Sequence, residues 1–209
     1  MTLPLHHDLY LIAHDQSGKP LIHQSSMELG LTGAVLLDAT LGGQAVVVKG
    51  RAAARGHVRT GDTIADGLTG LLARAPVDVR TLIKRASAGM YERVRDALVT
   101  SGVLVRVSGR RLGMLPYTRY RPADIASVVR ASACVRSAVE GWKPPDARCA
   151  ALCGLVAVLR VEKELYLDQP ASRLVGRLRQ IAADGSPAIG EVTTVVDTLV
   201  GEAAVAVYR

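Results

Sequence analysis

Apolar residues recur at helical spacing along most of this 209-residue chain, and the spacing predicts a mainly α-helical protein. The first such segment covers residues 3–14, where Leu5, Leu9 and Ile12 fall on one face of a helix. Later segments begin near Ser, Asp or Pro and end near Gly, as helix termini commonly do. These predicted helices cover about 25–41, 65–73, 77–85, 91–99, 122–141, 144–160, 170–183 and 189–200.

The clearest β motif lies in the middle of the chain. Two short segments, Val103–Val107 and Arg110–Leu115, flank Ser108-Gly109, a dipeptide that suits a hairpin turn. We therefore predict a β-hairpin over this stretch. It is followed by an exit loop between Pro116 and Pro122.

The remaining segments complete the predicted architecture. Residues 45–49 have the β-branched character of a short strand, 50–62 give no clear signal, and 203–207 suit a strand or the end of a helix. The most apolar run, Ala150 to Leu159, is too short to span a bilayer and predicts a buried central helix. At this length we expect one domain over 1–209, with helices around that central helix and a protruding hairpin.

The net charge of +7 is concentrated in the middle of the chain. Residues 80–136 contain twelve Lys or Arg and three Asp or Glu, whereas residues 1–79 and 137–209 each carry a net charge of −1. This localisation favours an anionic partner, either nucleic acid or a lipid headgroup surface. The alternative interpretation is a solvated arginine-rich face.

Motifs for catalysis, cofactors and metals are missing from the sequence. It has no phosphate-binding loop and no nucleophile elbow, and Gly30-x-x-Gly33 falls inside a predicted helix rather than after a strand. The five histidines form no zinc pattern, and Cys149 and Cys153 suit a buried helix face. We expect no enzyme activity, no cofactor and no metal. Three cysteines and the absence of a signal-peptide pattern favour the cytoplasm.

One function consistent with these features is nucleic-acid binding. The predicted helix 91–99 followed by the hairpin 103–115 is similar to a winged helix, in which a helix enters the major groove and the wing contacts phosphates. The positive charge would come from five arginines, Arg93, Arg95, Arg106, Arg110 and Arg111. Against this interpretation, the preceding helices lack a compact helix-turn-helix unit.

Four stretches of the sequence stand out by their order and spacing: LPLHHDLYLIA at 3–13, GLTGAVLLD at 30–38, YERVRDALVTSGVL at 91–104 and DARCAAL at 146–152. In these stretches the chain resembles the Golgi phosphoprotein 3 family of peripheral membrane proteins that bind phosphatidylinositol 4-phosphate. The resemblance runs from Leu3 to about Val200.

The resemblance implies that the hairpin contacts the membrane. In the family, an apolar hairpin tip enters the bilayer and, in some members, mediates self-association. Here the apolar tip residues would be Leu112, Met114 and Leu115, while Arg106, Arg110 and Arg111 would contact anionic headgroups. An anionic membrane is therefore the favoured partner, with a homo-oligomer through the hairpin as a second one and nucleic acid less favoured.

The resemblance also implies a headgroup site, but the residue types differ here. In eukaryotic members a Trp and three Arg line the site, and these positions fall on His23, Thr32, Ala88 and Tyr91. None of the four matches, and a phosphate monoester needs charge-assisted donors. The expected protein is thus a non-catalytic lipid-binding protein on the inner face of a membrane. Its strong preference for Arg over Lys is typical of a bacterial source.

Overall fold

A computed structural model describes residues 3–56, 59–111, 115–165 and 167–207. It confirms a mainly α-helical fold with a β-hairpin. The helices are α1 (Leu5–Ile12), α2 (Gln24–Leu41), α3 (Thr63–Leu72), α4 (Val79–Ser87), α5 (Met90–Thr100), α6 (Ile125–Glu140), α7 (Ala147–Leu159), α8 (Ala171–Gly185) and α9 (Pro187–Val207), with a 3-10 turn at Glu162–Leu165. The strands are β1 (Ala45–Val48), β2 (Arg51–Ala54), β3 (Val77–Asp78), β4 (Leu104–Arg111) and β5 (Leu115–Pro122).

The predicted central helix is α7. Every residue from Cys149 to Leu159 is buried, because α7 packs against α1, α2, α6, α8 and α9. Asp146 caps its first turn by accepting a 2.7 Å hydrogen bond from the backbone N–H of Cys149. The core around it consists mainly of Leu, Val, Ile and Ala side chains, as the shortage of aromatic residues requires.

The second long central helix, α2, contacts α1, α3, α4, α5, α7 and α9. Gly30 and Gly33 lie inside it, where a Cβ atom would come within 3 Å of the Leu159 and Val196 side chains. These glycines therefore serve helix packing, and Gly30-x-x-Gly33 lies inside a helix as predicted. At the other end of the chain, residues 203–207 continue α9 as a helix.

A small antiparallel sheet in the order β1-β2-β3 covers part of the segment that gave no clear signal. Its β2 strand, Arg51–Ala54, is rich in Ala, which has low β propensity. The strand forms because it pairs with β1 from Ala45↔Ala54 to Val48↔Arg51. Tertiary pairing thus overrides a weak local preference.

The hairpin is present, but the predicted position of its turn was wrong. Strands β4 and β5 pair continuously from Leu104↔Pro122 to Arg111↔Leu115, so Ser108 and Gly109 lie within β4. The Tyr117 ring packs over Gly109, since a Cβ atom there would lie 2.9 Å from it. The predicted exit loop between Pro116 and Pro122 is instead strand β5. The predicted tip residues Leu112 and Met114 lie outside the described residues.

Candidate functional site

The hairpin has two faces, because directly opposed residues of an antiparallel pair point to the same side. One side carries the pairs Arg106↔Tyr120 and Ser108↔Thr118, whose two hydroxyls are 3.5 Å apart. The opposite side, which we call the arginine face, is formed by Val105, Val107, Tyr117, Arg119 and Arg121.

The arginine face combines exposed cations with exposed apolar groups. Arg119 and Arg121 are both exposed, and Val105 and Tyr117 are 44% and 40% exposed. The Arg119 guanidinium carbon lies 5.4 Å from the centre of the Tyr117 ring, within the range of a cation–π contact. Such a surface can attract an anion and also bury apolar area against it.

The positive charge of the hairpin is not neutralised within the hairpin itself. Residues 104–122 contain five Arg and no Asp or Glu. Among the described residues, the arginines that form salt bridges are Arg80, Arg95, Arg130, Arg148 and Arg179. Arg106, Arg119 and Arg121 have no such partner within that part of the chain. The predicted contact residues Arg110 and Arg111 belong to the end of β4.

The base of the hairpin is attached to the helical body. Strand β4 contacts α5, and β5 contacts α6. The guanidinium of Arg95 stacks on the Tyr120 ring at 4.5 Å and pairs with Asp96 at 2.9 Å. The loop between α1 and α2 also packs closely here, since a Cβ atom on Gly18 would meet the Tyr120 carbonyl oxygen at 1.8 Å.

The four positions of the implied headgroup site lie on different kinds of surface. His23 is exposed as the N-cap of α2, and Ala88 is exposed at the end of α4. Tyr91 is half-buried in the first turn of α5. Thr32, by contrast, is fully buried, and its hydroxyl donates a 2.7 Å hydrogen bond to the Glu28 carbonyl oxygen.

The structure does bring the start of α2 close to the start of α5. The Gln24 side-chain nitrogen donates to Glu92 at 2.7 Å and lies 3.4 Å from a Glu28 carboxylate oxygen. We call the region formed by His23, Gln24, Glu28, Tyr91 and Glu92 the α2–α5 corner. Its two carboxylates make the local charge negative, which is unfavourable for a phosphate.

Arginines beside this corner are engaged in structural contacts. Arg93 donates to the carbonyl oxygens of Ala86 at 2.8 Å, Ala88 at 3.2 Å and Gly89 at 3.3 Å. It thereby satisfies carbonyl groups at the end of α4, where a cation is also favoured by the helix dipole. Arg95, on the same helix, pairs with Asp96 at 2.9 Å.

Tyr91 contacts two buried side chains, Tyr10 and His14, and forms a cluster with them. The His14 Nδ1 atom donates to the Tyr10 carbonyl oxygen at 2.7 Å, because a carbonyl can only accept. In the neutral ring Nε2 then accepts from the Tyr91 hydroxyl at 3.0 Å. Burial lowers the pKa of His14 to about 4. The cluster is therefore neutral at pH 7 and adds no positive charge to the corner.

A polar network joins the N-terminal segment to α7. Arg148 donates to Asp38 at 2.9 Å and to Asp8 at 2.7 Å, and Asp38 also accepts from the backbone N–H of Leu5. His6 is fully buried, with its Nε2 atom 3.4 Å from an Asp62 carboxylate oxygen. These contacts hold α1, α2 and α7 together.

The described ranges, 3–56, 59–111, 115–165 and 167–207, hold neither a candidate metal cluster nor a helix that could cross a membrane. They contain no group of three or more His, Cys, Asp or Glu side chains that could hold a metal ion. They also contain no helix whose length and apolar character would let it cross a membrane.

Together these features define a mainly α-helical protein with a buried central helix and a basic β-hairpin attached at its base. The model of the Golgi phosphoprotein 3 family (GPP34) matches residues 5–199, and the chain belongs to this family. No curated protein matches the chain. The family resemblance seen in the sequence is thus confirmed over nearly the whole chain.

Sequence reasoning missed part of the arginine face. Arg119, Arg121 and Tyr117 fell in the predicted exit loop, so only the residues of the first strand and the tip were candidates. The signal for the second strand was present in Tyr117-Thr118-Arg119-Tyr120, since Tyr and Thr favour strands.

Proposed function

We propose that this protein is a non-catalytic peripheral membrane protein that binds anionic lipid headgroups through its hairpin. The observation that carries the proposal is a hairpin with five arginines, no carboxylate and an exposed arginine face. Membership of the Golgi phosphoprotein 3 family supports the same general role.

The magnitude of the electrostatic attraction suits reversible recruitment. Each basic residue near an anionic leaflet contributes about 1 kcal/mol, so five arginines provide about 5 kcal/mol at most. Burial of the Val105 and Tyr117 side chains at the interface adds to this attraction. The attraction weakens as salt screens the surface potential.

Selectivity for phosphatidylinositol 4-phosphate is not part of the proposal. The α2–α5 corner carries Glu28 and Glu92, and Arg93 is bound to backbone carbonyl groups. A phosphate monoester there would face two carboxylates without a paired guanidinium. We therefore propose that the membrane is selected by its charge density rather than by one headgroup.

We further propose that binding takes place on the cytoplasmic face of a membrane. Anionic lipids give that leaflet its negative surface potential. The three cysteines are free, with Cys149 and Cys153 buried beside each other in α7, which suits a reducing compartment.

Nucleic-acid binding receives less support from the structure. A winged helix would need α5 to present cations to the major groove, but Arg93 and Arg95 are engaged with α4 and Asp96, and Val94 and Leu98 face the core. Gel-shift titration with duplex DNA at two salt concentrations tests this alternative, and tight binding with a steep salt dependence would support it.

Vesicle co-sedimentation tests the lipid proposal. Three compositions separate the outcomes: neutral phosphatidylcholine, phosphatidylcholine with phosphatidylserine, and phosphatidylcholine with phosphatidylinositol 4-phosphate at matched surface charge. We expect no binding to the neutral vesicles and binding to both anionic ones that agrees within about threefold and falls with salt. Equal binding to neutral vesicles contradicts the proposal, and a large preference for phosphatidylinositol 4-phosphate contradicts selection by charge.

A further inference from the structure

Helix α6 has an outer face that the packing of the protein leaves uncovered. Its inner face is buried through Ala131, Val135 and Ala138, which pack into the core. On the outer face, Ile125 and Val129 are one helical turn apart and are 68% and 52% exposed. Burying such side chains is favourable, so a stripe of them indicates a contact surface.

Trp142 lies directly beyond the end of this helix and is 73% exposed. Among the described residues, large apolar side chains more than half exposed are Val48, Ile125, Val129, Trp142 and Val205. Three of these five belong to α6 or to the turn that ends it. The exposed apolar groups are therefore concentrated along one element about 24 Å long.

The charges around this outer face are mostly positive. Arg130 is exposed and Arg136 is half-buried on α6, and Lys143 follows Trp142. Asp124 and Glu140 mark the two ends of the helix. The combination of apolar residues, flanking cations and a Trp is typical of a helix that lies in a membrane interface.

The α6 surface is also continuous with the hairpin along the chain. Strand β5 ends at Pro122, Asp124 caps α6 through the N–H of Ser127, and β5 and α6 are in contact. Residues 104–143 contain eight Lys or Arg and two Asp or Glu, a net charge of +6 out of +7 for the whole chain. The hairpin and α6 therefore form one basic stretch.

We propose that α6 is a second membrane-contact element, which lies along an anionic bilayer with Ile125, Val129 and Trp142 in the interfacial layer. Lys143 then faces the headgroups, together with Arg130, whose 4.0 Å pair with Asp124 is exposed. A second copy of this chain fits the same surface less well, because the cations beside one stripe would approach those beside the other. The inference rests on the proposed function, and it adds a contact that membrane binding through the hairpin alone does not require.

Trp142 is the only tryptophan in the chain, so its fluorescence reports on this surface directly. The experiment adds phosphatidylcholine–phosphatidylserine vesicles to the full chain and records Trp emission, with and without lipids brominated on their acyl chains. Sedimentation of the same samples gives the bound fraction. We expect the emission of bound protein to shift to shorter wavelength and to be quenched by the brominated lipids.

The outcomes separate the inference from the proposed function. Protein that sediments with vesicles but keeps its solvent-exposed emission overturns the inference and leaves hairpin binding intact. Protein that does not sediment overturns both.

A pair of substitutions provides the matched control. Val129→Glu on α6 should weaken vesicle binding about tenfold, whereas Leu71→Glu, at a 48% exposed position on α3, should leave it unchanged. Equal effects of the two substitutions overturn the inference. The inference is also overturned if light scattering without lipid detects a dimer and Val129→Glu dissociates it.

Discussion

The arginine face and the α2–α5 corner are two places where an anion could approach this protein. They differ in their carboxylate content and in whether their arginines are already engaged. On the arginine face, Arg119 and Arg121 are exposed and lie in a segment without carboxylates. At the corner, Glu28 and Glu92 surround Gln24, and the nearby Arg93 is bound to backbone carbonyl groups.

This difference is why the proposed function assigns anion binding to the hairpin rather than to the corner. Thr32, another position of the implied headgroup site, is fully buried, and its hydroxyl donates to the Glu28 carbonyl oxygen, so it presents no donor to an anion. The hairpin retains uncompensated charge.

The largest expected effect concerns Gly18, in the loop that connects the two regions. In this loop, Asp15 accepts hydrogen bonds from the N–H groups of Ser17 and Lys19. Gly18 has a φ of 76°, and its Cα lies so close to the Tyr120 carbonyl that an added Cβ would clash with it. Gly18→Ala should lower the free energy of unfolding by about 3 kcal/mol or more, because strain and a backbone clash combine. Urea denaturation measures it.

Gly43→Ala is the matched control for this substitution. Gly43 has the same φ of 76°, but no atom lies within 4 Å of the added Cβ. Backbone strain alone should therefore lower the free energy of unfolding, by about 1–2 kcal/mol. Equal losses at the two sites would show that the loop does not pack on β5 as described.

The next prediction concerns pH and the buried histidines. Burial lowers the pKa of His14 to about 4, and burial together with the neighbouring His6 lowers that of His7 to about 4. Since the unfolded state takes up protons near pH 6.5 and the folded state does not, stability should be lost as the pH falls from about 6.5 to 4. Each histidine contributes at most about 3 kcal/mol.

Urea denaturation at several pH values between 7.5 and 4.5 measures this slope. His14→Gln should make the slope shallower, because one of the two titrating groups is removed. An unchanged slope in His14→Gln would mean that this histidine does not enter the folded state as a neutral, buried group.

The smallest expected effect concerns the carboxylates of the α2–α5 corner. The double substitution Glu28→Gln with Glu92→Gln raises the net charge by two, but we expect binding to phosphatidylserine-containing vesicles to rise less than about threefold, because the corner lies outside the proposed contact surface. Co-sedimentation measures it. An increase of about thirtyfold, which two charges at the membrane would give, would place the corner on the membrane.

The sequence predicted those elements correctly in which the local residue preferences agree with the tertiary packing. The bounds of α7 were predictable from its apolar run and from the Asp146 cap. The hairpin turn was misplaced because Ser108-Gly109 has turn chemistry locally, while in the structure Gly109 is paired with Tyr117 across the sheet and lies under its ring. No residue near Gly109 in the sequence indicates that contact.

The same limitation affected the candidate site. Once β5 was interpreted as a loop, Arg119 and Arg121 could not be assigned to a face of the hairpin. The local negative charge of the α2–α5 corner was equally hidden, since Gln24 and Glu92 are far apart in the sequence. The total charge of the hairpin can be counted from the sequence, but the face on which each arginine lies follows only from the strand pairing.

Vesicle binding by a charge-matched pair of variants tests the central claim most directly. Arg119→Gln with Arg121→Gln removes two charges from the arginine face, and Arg173→Gln with Arg177→Gln removes two from the exposed side of α8. Because each arginine at the membrane contributes about 1 kcal/mol, the first variant should bind phosphatidylserine-containing vesicles about thirtyfold more weakly, and the second should bind like the unchanged protein. Equal binding by the two variants would contradict membrane attachment through the hairpin.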